Sequence, residues 1–136
     1  MSVASIGNEQ VRGRRYGAWT LQIIVALAFF AAGAAKLAGV PFMVQLFDQI
    51  GIGQWFRIVT GVVEIAGAVS LVHPRLASIG GLWLGFTMFF AVLTHLFVLH
   101  TSPAPAVVLG LLNLLIAYLR RDELVWLIET TGTLVR

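Results

Sequence analysis

The sequence predicts an all-α polytopic membrane protein: a four-helix bundle with a short outer interfacial helix and a C-terminal amphipathic helix. Three observations point there. Of the 136 residues, 59% are hydrophobic and only 11% are charged, whereas soluble domains carry about a quarter charged residues. Four stretches are apolar over a length that crosses, or nearly crosses, about 30 Å of hydrocarbon as helix. Most of the arginines flank those stretches, so the formal charge of +3 reads as a topology signal and not as a nucleic-acid footprint.

In chain order, residues 1–16 read as a cytoplasmic tail, 17–119 as the transmembrane domain and 120–136 as a cytoplasmic interfacial tail. The spans fall at about 17–36, 54–72, 76–99 and 101–119. The first has no charge from Gly17 to Ala35. The second carries Arg57 near its start and Glu64 inside, and the third ends just beyond His95. The fourth has Pro103 and Pro105 in its first turn, where amides lack intrahelical partners and proline is tolerated. Between spans one and two, Pro41 to Ile50 reads as a helix with proline at its start and Gly51 after its end. Its apolar stripe of Phe42, Met43, Leu46, Phe47 and Ile50 is too short to span, which suits an interfacial or re-entrant helix. Asp122 to Thr130 places Leu124, Leu127 and Ile128 on one face, with Trp126 as an interface anchor.

Arg12, Arg14 and Arg15 precede span one, Arg75 separates spans two and three, and Arg120, Arg121 and Arg136 follow span four. An even number of crossings puts all of these on one side and leaves Lys36 and Arg57 on the other. The positive-inside rule then places both termini in the cytoplasm, and the protein in the cytoplasmic (inner) membrane of the cell. A cleaved signal peptide is the competing reading of span one. Its apolar stretch is about twice a usual signal core, and its removal would put the termini on opposite sides.

The absence of cysteine excludes disulfide shuttling, thiolate metal sites, iron–sulfur clusters and covalent c-type haem. No phosphate loop, dinucleotide fingerprint or serine-nucleophile elbow is present. His73 lies at the opposite end of the spans from His95 and His100, so one protomer does not supply a haem with two histidines at one depth. The outer pair does not share a helical face as a zinc site would need. Neither haem nor metal is expected.

Glu64 is the most informative residue. It sits inside the apolar run from Ile58 to Val72, and an ionised carboxylate in hydrocarbon is tolerated only beside a partner, a cavity or a ligand. Helical spacing puts Arg57 and Glu64 on one stripe with Thr60, Gly61, Gly67 and Ala68. Span one shows Gln22, Ala26, Phe29, Gly33 and Lys36 on one stripe. Span three shows Gly81, Leu84, Met88, Ala91 and His95, and span four Ala106, Gly110, Asn113 and Ala117. Each helix therefore has one face of polar and small residues, as convergence on a shared interior requires. Glu64 lies roughly 10 Å below Arg57, His95 roughly 6 Å from the outer end of its span, and Asn113 near the midplane. Lys36, Arg57, Glu64, His95 and Asn113 thus outline a candidate polar pocket opening outward, partly roofed by the Pro41–Ile50 helix. Plainer roles stand beside this one. Lys36 can snorkel to the interface, Arg57 can anchor there, His95 and Asn113 can join helices, and Glu64 can pair structurally with Lys36, Arg57 or His95. Gly81 and Gly85 form a Gly-xxx-Gly pair that serves a homodimer as well as it serves the bundle.

The order Ala31-Ala-Gly-Ala-Ala-Lys36-Leu-Ala-Gly39, Phe47-Asp-Gln-Ile-Gly51, Arg57-Ile-Val-Thr-Gly61-Val-Val-Glu64-Ile-Ala-Gly67 and then His95 resembles the DoxX-like family of four-helix membrane proteins. The similarity runs from about Ala18 to Leu119. It implies a bacterial cytoplasmic-membrane protein whose relatives include a subunit of a thiosulfate:quinone oxidoreductase, a membrane partner in a redox-stress complex, and assembly factors. It also implies that Lys36, Arg57, Glu64 and His95 form the family's polar core, without a shared catalytic assignment. The lack of cysteine departs from thiol-dependent relatives and weighs against direct sulfur redox chemistry. The expected function is an accessory or quinone-linked component of a membrane redox system. Its expected partners are the lipid bilayer and a membrane or redox protein, with no nucleic acid. Such a pocket suits proton chemistry or an amphipathic ligand such as a quinone or a lipid. A non-enzymatic membrane chaperone or complex-assembly subunit is the alternative, and a small transporter the third reading. Whether the protein is an enzyme is open at this level.

Overall fold

The computed structural model describes residues 3–134, with side chains from 9 to 132. Arg136, counted above in the topology, lies outside the described residues. Every regular element among the described residues is a helix: α1 (Val3–Ala38), α2 (Pro41–Ile50), α3 (Gln54–Val72), α4 (Ala77–Thr94), α5 (Ala104–Leu119) and α6 (Arg121–Leu134). A π-helical turn, His95–Leu99, continues α4. Helices α1, α3, α4 and α5 form the bundle. The principal pairs are α1 with α3 and α4 with α5, and α3 packs against α4 to join them. Helix α2 lies over α3 and the π turn, and α6 meets α4 and α5 at the opposite end.

The apolar segment 17–36 is only part of α1, which starts at Val3. The preceding arginines, Glu9 and Gln10 favour helix, no proline interrupts them, and the span supplies the nucleus from which the helix extends. Pro41 opens α2, and Gly51 ends it in the left-handed conformation (φ 77°), its amide donating to the Phe47 carbonyl. This is the expected asymmetry of a proline start and a glycine stop.

Two ends differ from the sequence reading. The third span is not α-helical to residue 99. It widens at His95, and its last carbonyl bonds close when the Thr101 amide donates to the His95 carbonyl at 3.0 Å and His100 turns left-handed (φ 49°). The helix of the fourth expected span starts at Ala104, with Pro103 at the cap and Pro105 in the first turn. Its 16 residues extend about 24 Å. By length and apolarity Glu9–Ala38, Gln54–Val72 and Ala77–Leu99 suffice to cross a bilayer, while α5 reaches that standard only together with α6, from which it is bent by 59°.

The small and polar stripes point inward. Gln22, Ala26, Phe29 and Gly33 are buried on α1; Gly61, Glu64, Gly67 and Ala68 on α3; Gly81, Leu84 and Met88 on α4; Ala106, Asn113 and Ala117 on α5. Glycine at these positions sets backbone spacing. A Cβ on Gly33 would lie 2.8 Å from the Gly61 carbonyl oxygen, and one on Gly81 would lie 2.7 Å from the Asn113 carbonyl oxygen. A Cβ on Gly85 would lie 3.3 Å from Leu114 Cδ2, so both glycines of the Gly-xxx-Gly pair face α5 of the same chain. The opposite faces expose Ile24, Leu27, Val62, Val69, Phe86, Phe89 and Leu111, the surface that lipid chains cover in a polytopic protein.

Candidate functional site

The site begins with the close approach of α1 and α3. A Cβ on Gly33 would stand 3.4 Å from Glu64 Cβ, so these helices touch one turn from Lys36. At that spacing Lys36 Nζ donates to Glu64 Oε2 at 2.7 Å. The pair is enclosed, the side chains being 12% and 7% exposed. Its members lie in two of the spans. The energetic reason is simple: either charge alone in this setting would be uncompensated, and each is the other's counter-ion.

Arg57 reaches the backbone of Lys36. Its Nη1 donates to the Lys36 carbonyl oxygen, and its Nε donates to Gln54 Oε1 at 2.6 Å. A cation is thereby placed on the C-terminal carbonyls of α1, where the helix dipole favours positive charge. Gln54 extends the chain of contacts, with Nε2 donating to Asp48 Oδ1 at 2.7 Å and to the Val44 carbonyl at 2.9 Å. The end of α1, the whole of α2 and the start of α3 are thus bound together around the Lys36–Glu64 pair. Phe47, the buried residue of α2, meets Phe56 of α3 with ring centroids 5.9 Å apart.

His95 and Asn113 are hydrogen-bonded elsewhere. His95 Nδ1 pairs with Thr101 Oγ1 at 2.7 Å across the π turn. Asn113 is fully buried, yet Nδ2 returns to the Leu109 carbonyl of its own helix at 2.8 Å, and Oδ1 has no partner. It is not the hydrogen-bonding link between helices that its residue type suggests. Gly67 abuts Leu84, and Asn113 sits between Gly81 and Gly85, so Asn113 lies within about one helical turn of the level of Glu64. The structure therefore joins Lys36, Glu64 and, through the Lys36 backbone, Arg57. It leaves His95 and Asn113 outside that set of contacts.

A second polar cluster occupies the other end of the bundle. Gln22 Nε2 donates to the Leu71 carbonyl, and Gln22 Oε1 accepts from Arg120 Nε at 2.9 Å and Nη2 at 2.6 Å. Arg120 Nη1 donates to Glu123 Oε1 at 3.2 Å, and its guanidinium lies 5.0 Å from the centre of the Trp19 ring. Ser78 Oγ donates to the Ala117 carbonyl at 3.1 Å. Burial pushes the Glu123 carboxyl above the ordinary range, opposed by Arg120 and by the Ser78 and Ala77 amides at the start of α4. Sequence reading placed Gln22 on the inward stripe and used Arg120 only for topology. The signal for their contact was a single amide in an otherwise apolar stretch, at the end of the bundle where Arg120 follows α5.

A bundle of apolar helices with an ion pair buried between its first two spans defines a small multi-pass membrane protein with a polar centre. The chain belongs to the DoxX-like family, whose sequence model matches residues 20–118. It is 33% identical over 81 residues to a protein of Bacillus subtilis (strain 168) named "Uncharacterized protein YdgD", covering 57% of this chain and 71% of that protein. It is 27% identical over 78 residues to "Putative oxidoreductase CatD" of the same organism, covering 57% of this chain and 58% of that protein. No solved structure matches the chain.

Proposed function

We propose that this DoxX-like protein is an accessory, quinone-linked component of a membrane redox system, and that a small amphipathic molecule docks at Lys36 and Glu64. The observation that carries the reading is the 2.7 Å ion pair enclosed between two spans. Buried pairs of this kind are rarely a gain in stability over apolar residues of the same volume. Groups of this cost inside a membrane are the ordinary mark of a ligand or proton site. The name of the relative CatD supports the redox link.

Chemically, the Lys36 ammonium would donate a hydrogen bond to a quinone carbonyl oxygen, and Glu64 would relay the two protons, drawn from water, that reduction to the quinol takes up together with two electrons. The electrons come from a redox partner in the membrane. Arg57 holds the Lys36 backbone in place, and His95 serves as a second proton-handling group at the same end. The ligand enters from the side opposite the termini, which lie in the cytoplasm. That orientation follows the arginines: Arg12, Arg14, Arg15, Arg75, Arg120 and Arg121 lie at one end, and Lys36 and Arg57 at the other.

The test is Glu64→Gln in protein purified in mild detergent, titrated with a short-chain quinone. The expected result is at least a tenfold loss of binding with the helical fold retained, on the scale of a charge-assisted hydrogen bond. Unchanged binding together with unchanged growth under redox stress would sink the reading. A second reading, a non-enzymatic chaperone or assembly subunit, is favoured by one observation: Lys36 and Glu64 satisfy each other as a strut would. In that case a protein partner co-purifies equally with Glu64→Gln.

A further inference from the structure

Where α1 leaves the bundle, Arg12, Arg15, Tyr16 and Trp19 line a cleft of about 420 Å³. Their spacing of three, four and seven residues places them on one helical face. The apolar run begins at Gly17, so the cleft lies at the level where hydrocarbon gives way to headgroups. Its lining is entirely cationic or aromatic, with no carboxylate. Two ion pairs occur among the described residues, Lys36–Glu64 and Arg120–Glu123, and neither engages Arg12 or Arg15. The floor is held in place, because Trp19 sits under the Arg120 guanidinium and Arg120 is itself fixed by Gln22.

We propose that this cleft binds the phosphate of an anionic phospholipid in the leaflet facing the termini. Three features select that ligand. Guanidinium groups present forked donors that match phosphate oxygens, and two such groups stand one turn apart. Tyrosine and tryptophan favour the headgroup level, where one side of the ring is wet and the other apolar. The third feature separates a lipid from free phosphate. Below the cleft the same face of α1 continues as Ile23, Leu27 and Phe30, which are 48%, 64% and 51% exposed. An acyl chain attached to a phosphate in the cleft has an apolar track to follow. A headgroup with its own ammonium finds no carboxylate in the cleft, so the net negative lipid is the better match.

The experiment uses the full chain in mild detergent, with bound lipid counted by native mass spectrometry. Phosphatidylglycerol and phosphatidylcholine of equal chain length are titrated separately. The expected result is preferential retention of phosphatidylglycerol. An interfacial arginine changes affinity for anionic lipid about fivefold, so Arg12→Gln with Arg15→Gln should weaken retention on the order of 25-fold. Arg14→Gln changes one charge off the cleft face and should weaken retention less than Arg12→Gln alone. Helicity and elution volume should be unchanged, since Arg12 and Arg15 make no ion pair in the described fold. Equal phosphatidylglycerol retention by the wild type and the double variant would overturn the proposal. So would a loss with Arg14→Gln as large as that with Arg12→Gln alone, which would mean diffuse charge instead of a site. Displacement of the lipid by millimolar inorganic phosphate would also overturn it, in favour of a free-phosphate site.

Discussion

The two polar clusters at opposite ends of the bundle are built on different principles. At one end, Lys36 and Glu64 meet as bare opposite charges between spans. At the other, Gln22 is a neutral amide whose two ends are both satisfied, by the Leu71 carbonyl and by Arg120. A neutral amide loses little on burial when its hydrogen bonds are complete. Two charges lose much more, and their mutual attraction does little better than break even. The amide cluster therefore reads as a structural clasp on the chain's last turn of membrane helix. Arg120 also pairs with Glu123 there, but beyond the end of α5; the Lys36–Glu64 pair, set between two apolar helices, is the one whose presence stability alone does not explain.

The largest expected effect separates these roles. Glu64→Ala leaves Lys36 enclosed without its counter-ion and should destabilise the protein by about 3–5 kcal/mol. Replacing both members, Lys36→Met with Glu64→Leu, should restore stability to the wild-type level or above it while abolishing ligand binding. Unfolding midpoints in detergent and quinone titrations on the same samples check both. A double variant as unstable as the single one would erase the contrast and make the pair a structural element.

Next in size, Gln22→Leu strips Arg120 and the Leu71 carbonyl of their shared partner and should cost about 1–3 kcal/mol. Quinone affinity should not move, since the Lys36–Glu64 pair lies several turns away. A change in affinity matching that of Glu64→Gln would show that the two ends are coupled.

The smallest effect is a pH slope at the clasp. Burial raises the Glu123 carboxyl above its unfolded value, so the folded state binds its proton more tightly than the unfolded chain. The resulting stabilisation is full below the unfolded pKa and is lost as pH rises through the folded one. In Glu123→Gln that component of the slope should vanish, as measured by unfolding midpoints across the mildly acidic range. An unaltered slope would mean that Glu123 is not the titrating group.

Much of the interior was legible because helical spacing is local. Gln22, Phe29, Glu64, Leu84 and Asn113 were placed on inward faces by counting residues, and all are buried. Which face meets which neighbour is non-local, and there the sequence was silent. Lys36, Arg57 and His95 were equal candidates for pairing with Glu64. The close contact of Gly33 with Gly61 decides for Lys36, and Arg57 reaches only as far as its backbone. Arg120 and Gln22 are 98 residues apart, a separation no periodicity can bridge. The π turn at His95 was equally hidden, because its residues, His95-Leu-Phe-Val-Leu99, fit an α-helix just as well. The DoxX-like motif around Lys36 and Glu64 was a match of short sequence patterns, and it identified the family without indicating the partner of either charge.

The shortness of α5 has a consequence for the lipid. At about 24 Å, against about 30 Å of hydrocarbon, it leaves about 6 Å of mismatch on one flank of the protein only. Bilayers answer such a deficit by thinning, at fractions of a kcal/mol per ångström. A fourth crossing made by α5 alone would therefore leave the annulus lopsided, dimpled beside α5 and of full height beside α1.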